Sequence, residues 1–316
     1  YEEVVYLLIF GKLPNESELE ELKDMLANYR QSLPTSFVRD IIMKAPSVDL
    51  MNTLGRSVLT LYSYDDRADD ITTENVLRQC LQLVALFPMF AVYGYQAACY
   101  FHEGTSFFLH PPKAEYSTAE NILHMLRPNS KFSPLEAKIL DIALVLHAEH
   151  GGGNNSTFTC RVLTSSGTDP YAAYSAAIGS LKGPRHGGAN HKVIQMHQYI
   201  KDNVKNWDDE GEVADFLRKI LRKEAGDGTG LIYGMGHAVY TLSDPRAVIL
   251  KQNAAKMAIG SEFEAEYRLL EMIERLTPEL FKEVKGDEKK MCANVDMYSG
   301  FVYKMLGIPE DLFTPL

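Results

Sequence analysis

Ser133-Pro134-Leu135-Glu136-Ala137-Lys138-Ile139-Leu140-Asp141-Ile142-Ala143-Leu144-Val145-Leu146-His147 is the stretch on which the fold class turns. Ser133 and Glu136 make a capping box, and Pro134 takes the first helical position, where a missing N–H costs nothing. Leu135, Ile139, Ile142 and Leu146 then share one face. Leu140, Ala143, Leu144 and Val145 make the segment apolar nearly all round, which predicts an interior helix.

The same period recurs outward in both directions. Asn15 with Glu18 and Ser117 with Glu120 are further capping boxes. Asp169-Pro170, Asp244-Pro245 and Thr277-Pro278 read as cap-plus-proline helix starts. Val213, Phe216, Leu217, Ile220 and Leu221 give an amphipathic stripe, acidic at its start and basic at its end, as the helix dipole prefers. Leu269, Leu270, Ile273 and Leu276 mark one more helix. Leu81 to Phe101 has the length of a membrane span, but Gln82, Pro88, Gly94 and Gln96 interrupt it, so it reads as a core helix bent near Pro88. No stretch alternates with period two. The expectation is an all-α protein of about two domains.

Composition agrees. Of 316 residues, 46% are hydrophobic and 23% charged, the ordinary globular mixture. The net charge of -10 leaves no global basic field for nucleic acid, and no membrane partner is expected. Cys80, Cys99, Cys160 and Cys292 form no C-x-x-C and read as reduced thiols of a cytoplasmic protein. The chain opens at Tyr1 inside a helical pattern and is expected to be cut at both ends.

Histidines beside glycines are the candidate chemistry. His102, His110, His124, His147 and His197 have ordinary settings. His150 ends the quoted helix at Gly151-Gly152-Gly153-Asn154. It is either a C-cap that complements the dipole or a donor to a ligand carboxylate. A zinc pair with His147 lacks a third ligand at suitable spacing. His186 stands in Gly183-Pro184-Arg185-His186-Gly187-Gly188-Ala189-Asn190. Its place near a helix start favours a neutral ring that donates to a developing oxyanion. His237 follows Gly230-Leu231-Ile232-Tyr233-Gly234-Met235-Gly236, whose spacing fails the dinucleotide fingerprint but suits a phosphate or adenine. Arg246 at a helix start can hold a carboxylate bidentately or join a surface ion pair. Asp296, in Asn294-Val295-Asp296-Met297-Tyr298-Ser299-Gly300, is a helix cap or a general base.

Together and in this order, these four segments resemble the citrate synthase family. The resemblance covers essentially the whole chain and is clearest over 145–316. It implies a citrate synthase-like fold with a large domain at 1–187, a small domain at 188–307 and a return at 308–316. His186 would sit at the hinge. It implies that Asp296 removes a methyl proton from acetyl-CoA, that His186 steadies the enolate oxygen, and that His237 polarises the oxaloacetate ketone. His150, Asn154 and Arg246 would bind oxaloacetate. Leu231, Ile232, Gly234, Gly236, Lys289 and Lys290 would meet coenzyme A, a co-substrate and not a tightly bound cofactor. No metal is required, and a homodimer or larger assembly is expected.

Two departures stand out. Thr241 occupies a place where many members carry a basic residue for CoA phosphates. Further substrate-binding arginines are expected beyond Leu316, so the chain as written is expected to be impaired. The resemblance leaves two alternatives open: 2-methylcitrate synthesis from propionyl-CoA, and a non-catalytic binding protein of the same fold.

Overall fold

The structure, a computed structural model, describes residues 1–149, 151–237, 239–286 and 291–316. The fold is all-α. Among the described residues the one β-type pairing is an isolated antiparallel bridge between Met235 and Ala293. The chain divides into two compact units, Tyr1–Gly187 with Thr314–Leu316, and Gly188–Phe313. The expected return at 308 differs from this division: residues 308–313 belong with the second unit, where Phe313 packs its ring against Tyr303.

The first unit is built on the helix Thr73–Ala98, packed by Glu16–Ser32, Leu50–Leu61 and Thr118–Leu126. Leu81, Ala85, Leu86, Phe90 and Val92 are among its buried side chains. The helix continues through Pro88, which is buried. The segment Thr73–Glu103 is long and apolar enough to cross a membrane, yet 61% of its most apolar window is buried within the protein.

All three capping boxes form, each with both reciprocal bonds. The helix Pro134–His147 stands where the sequence places it. Its buried face is different: Ala137, Ile139, Leu140, Ala143 and Leu144 are inside, while Leu135 is 42% exposed. The helix therefore lies on one side of the core and not through it.

In the second unit, Glu210–Leu221 packs on Glu264–Lys285. The predicted stripe is buried at Val213, Leu217, Ile220 and Leu221. Thr277-Pro278 does not start a helix; it lies inside Glu264–Lys285. The physical reason is the continuous apolar face. Leu269, Leu270, Ile273, Leu276 and Leu280 are all buried, and a buried leucine contributes roughly 1.5–3 kcal/mol. Several of them outweigh the cost of about 3 kcal/mol for an interior proline. Thr277 also donates its hydroxyl to the Ile273 carbonyl at 2.6 Å.

Candidate active site

Each unit carries its own group of the candidate residues. In the first, the helix Pro170–Lys182 stops at Gly183, whose carbonyl accepts the N–H groups of His186 at 2.9 Å and Gly187 at 3.1 Å. The tight turn demands glycine at 187. A Cβ there would sit 2.2 Å from the Leu181 carbonyl oxygen, so no side chain fits.

This turn presents His186 to the first turn of the helix Asn155–Thr164. Helix starts leave backbone N–H groups without partners inside the helix. The Ser156 N–H donates to His186 Nε2 at 3.2 Å, and the Ser156 hydroxyl lies 3.0 Å from the same nitrogen. A backbone N–H can only donate, so Nε2 accepts and a neutral ring carries its proton on Nδ1. Asn154 Oδ1 caps the helix by accepting from Thr157 N–H and the Ser156 hydroxyl, both at 2.8 Å. Its Nδ2 donates to the Gly151 carbonyl. Asn154 thus spends its side chain on the chain itself, holding Ser156 in place. His147 donates through Nδ1 to the Ala143 carbonyl at 2.7 Å. His150 lies outside the described residues. Among the described residues, no three His, Cys, Asp or Glu side chains gather as a metal site would require.

The second unit brings His237, Arg246 and Asp296 together. Gly234 stands at φ +83° with Met297 Cα 3.0 Å from where its Cβ would be, so the loop passes directly over the start of the Asp296 helix. Asn294 stitches the two. Its N–H donates to the Gly234 carbonyl and its Nδ2 to the Gly236 carbonyl, each at 2.8 Å. Its Oδ1 accepts the Asp296 N–H at 3.0 Å. Asp296 is the first residue of the helix Asp296–Met305 and half-buried. Asn294, not Asp296, supplies the capping-type bond there.

His237 Nδ1 accepts two backbone N–H groups, from Val239 at 2.9 Å and Tyr240 at 3.1 Å. Nδ1 is therefore unprotonated and the ring proton rests on Nε2. Arg246 Nη2 lies 3.3 Å from that Nε2. Arginine nitrogens only donate, so two N–H donors stand side by side and bear on one region. Arg246 donates to Asp244 through Nε at 3.0 Å and Nη2 at 2.8 Å. It is not a surface pair: the Asp244 side chain is 0% exposed. Burial pushes the Asp244 carboxyl up, but the Arg246 hydrogen bonds outweigh it and hold the carboxyl below its usual range. Burial acts to lower the Arg246 guanidinium as well; Asp244, and then Tyr240 and Asp296, raise it above its ordinary value.

The expected coenzyme A residues differ in exposure. Ile232 and Gly234 are buried, Gly236 is half-buried, and only Leu231 among the described ones is exposed. Lys289 and Lys290 lie outside the described residues. Leu231 borders a small cavity of about 180 Å³ with Lys192, Gln195 and Tyr233. Sequence reasoning missed Ser156 as the partner of His186, gave Asn294 no role, and read Asp244 only as a cap.

Known proteins resemble this chain along its length. The family model described as "Citrate synthase, C-terminal domain" matches residues 1–316. A citrate synthase of Synechocystis is 35% identical over 315 residues, covering 99% of this chain and 72% of that protein. A 2-methylcitrate synthase of Shewanella oneidensis is 32% identical over 325 residues, covering 100% of this chain and 76% of that protein. The crystal structure of citrate synthase from Pyrobaculum aerophilum superposes with a TM-score of 0.83 at 28% identity. It covers 100% of this chain and 75% of that one. A match along every residue of an all-helical chain, in sequence and in fold, shows that this protein belongs to the citrate synthase family.

Proposed function

We propose that this chain condenses the acyl group of a short acyl-CoA with oxaloacetate, releasing free CoA. The observation that carries this reading is the paired donors His237 Nε2–H and Arg246 Nη2–H, fixed 3.3 Å apart by backbone and Asp244. An α-keto acid offers a ketone oxygen and an adjacent carboxylate, which suits such a pair.

The steps follow from proton accounting. A thioester methyl is too weakly acidic for a lone carboxylate, so proton removal needs an oxyanion stabiliser acting at the same moment. Asp296 takes the proton. His186, with its ring proton on Nδ1, donates to the thioester oxygen as the enol or enolate forms. The nucleophilic carbon then adds to the ketone carbon, and His237 delivers its Nε2 proton to the new alkoxide. Hydrolysis of the resulting thioester, with a water supplying the hydroxyl, gives the tricarboxylate and CoA. The two compact units act as the large and small domains, with the turn at His186 as the hinge. His150 and Arg246 bind the keto acid carboxylates. The backbone of the Leu231–Gly236 loop, with Lys289 and Lys290, meets CoA. No tightly bound cofactor enters these steps.

Ser156→Ala keeps the backbone bond to His186 and removes the hydroxyl. It is expected to lower kcat about tenfold, the worth of the one hydrogen bond of ~1.4 kcal/mol by which that hydroxyl, donating to Asn154 Oδ1, keeps the Ser156 N–H aimed at Nε2. Unchanged kcat would show that the hydroxyl does not hold the ring.

Acetyl-CoA is the favoured thioester. Propionyl-CoA is the second reading, prompted by the 2-methylcitrate synthase relative, and one methylene discriminates by only ~1–3 kcal/mol. Measuring thiol release with each thioester, with and without oxaloacetate, tests both. Oxaloacetate-dependent release, faster with acetyl-CoA, is expected. Release with neither thioester would sink the assignment.

A homo-oligomer is also proposed. The helix Asn155–Thr164 has no buried residue, and its Phe158 and Val162 are 64% and 49% exposed one turn apart. A second copy covering them accounts for that exposure. Sedimentation that finds only monomers at micromolar concentration would remove this proposal.

A further inference from the structure

We infer that Asp244 is a positioning residue for the condensation. It fixes the guanidinium plane of Arg246 against the His237 ring and so sets affinity for the keto acid. The inference rests on the function proposed above and adds a residue that need not touch substrate.

One carboxylate makes three bonds here. Asp244 Oδ1 accepts the Arg246 backbone N–H at 2.9 Å and its Nε–H at 3.0 Å, and Oδ2 accepts Nη2–H at 2.8 Å. The residue between them is Pro245, at the first helical position, where its ring fixes φ. The backbone between anion and cation is therefore stiff. Two bonds to one edge of a planar guanidinium leave it a single orientation. The rest of the cluster completes the frame. The Tyr240 ring packs against His237 with centroids 4.8 Å apart, and the Arg246 guanidinium carbon lies 5.7 Å from the same Tyr240 ring.

Capping alone does not explain an aspartate at this position. Asparagine and serine cap helices as well as aspartate does. Burying a charged carboxylate costs desolvation that a neutral cap avoids. The charge is what a guanidinium needs. An arginine side chain is rich in rotamers, and without a partner it must be ordered by the substrate itself. Asp296 is the other carboxylate whose charge Arg246 feels. Losing Asp244 would let Arg246 turn towards the proposed base.

Asp244→Asn and Asp244→Ser both keep a capping oxygen and remove the charge. Each is expected to lower kcat/KM for oxaloacetate about 100-fold, the scale of a misplacement near 1 Å in a positioned site. The loss should fall mainly on KM for oxaloacetate, with KM for the acyl-CoA little changed, while the melting temperature falls because the Arg246 charge loses its buried partner. The decisive readout is a double-mutant cycle with Arg246→Met. If Asp244 acts through Arg246, Asp244→Asn adds no further loss in the Arg246→Met background. An equal further loss in that background, or a uniform fall of every parameter in step with melting temperature, would assign Asp244 a structural role and overturn the inference. Unchanged oxaloacetate affinity in both single variants would overturn it too.

Oxaloacetate binding by calorimetry separates this inference from the reading beneath it. If the unmodified chain binds oxaloacetate but releases no CoA, the proposed reaction falls. The affinities of the variants still decide the role of Asp244. If the unmodified chain does not bind oxaloacetate, both fall.

Discussion

Asp296→Asn is expected to lower kcat for CoA release by about 10²–10⁴-fold, the usual contribution of a general base. The amide is nearly isosteric and cannot accept a proton from a methyl carbon. The Asp296 N–H is held by Asn294, and the flanking Val295 and Met297 are buried. The helix Asp296–Met305 should therefore form unchanged. Oxaloacetate binding should persist, since the proposed contacts come from Arg246 and His237. The signature is lost turnover with retained keto acid affinity and unchanged melting. A variant that keeps more than a tenth of the turnover would show that another group removes the proton.

The second large effect is on stability in acid. His197 lies on the helix Ala189–Asn203, 6% exposed, and its Nε2 has no hydrogen-bond partner among the described residues. Burial drives its pKa from 6.5 down to about 3, against a smaller opposing pull from Glu266 and with a small push from Lys201. The sign follows from proton uptake. Above pH 6.5 the ring is neutral in both the folded and unfolded chains, and stability is unaffected. As pH falls from 6.5 towards 3, the unfolded chain gains a proton that the folded chain refuses. Stability then declines by about 1.4 kcal/mol per pH unit. Carboxylates add their own slope at lower pH, so the clean window is pH 5–6.5. Urea unfolding there should show the decline, about 2 kcal/mol across the window. His197→Met should flatten it. Equal slopes in the two proteins would mean that the buried ring takes up protons as readily as the free one.

His197 also marks where sequence reading stopped. Its neighbours along the chain gave it an ordinary setting, and nothing local announces burial. What was legible was local chemistry. The three capping boxes, the Pro134, Pro170 and Pro245 starts, and the stripe from Val213 to Leu221 follow from side chains within one or two turns. Thr277-Pro278 failed because a local stop signal competed with an apolar face that ran past it. The inward face of Pro134–His147 was misjudged because a helix apolar nearly all round does not say which side is covered.

The candidate site divides in the same way. His237, Arg246 and Asp244 fall within one short segment, so their spacing could be read. The tie between Ser156 and His186 spans 30 residues, and the Asn294 clasp on Gly236 spans 58. Such pairs are created by folding and leave only a weak trace in order along the chain. Asp244 carried one visible role, the cap. Its second, the hold on Arg246, was hidden because both roles use the same carboxylate.

The clasp between the two segments has a dynamic consequence. Gly236 N–H donates to the Cys292 carbonyl at 2.7 Å, and Asn294 N–H to the Gly234 carbonyl at 2.8 Å. These two bonds are the Met235–Ala293 bridge itself, one on each side of a single residue pair, so they are expected to open together. In deuterated water the amide hydrogens of Gly236 and Asn294 should be lost at one shared rate, as members of a single opening unit. The loop that carries His237 and the turn that carries Asp296 would then breathe together, so that both are in place at once or neither is.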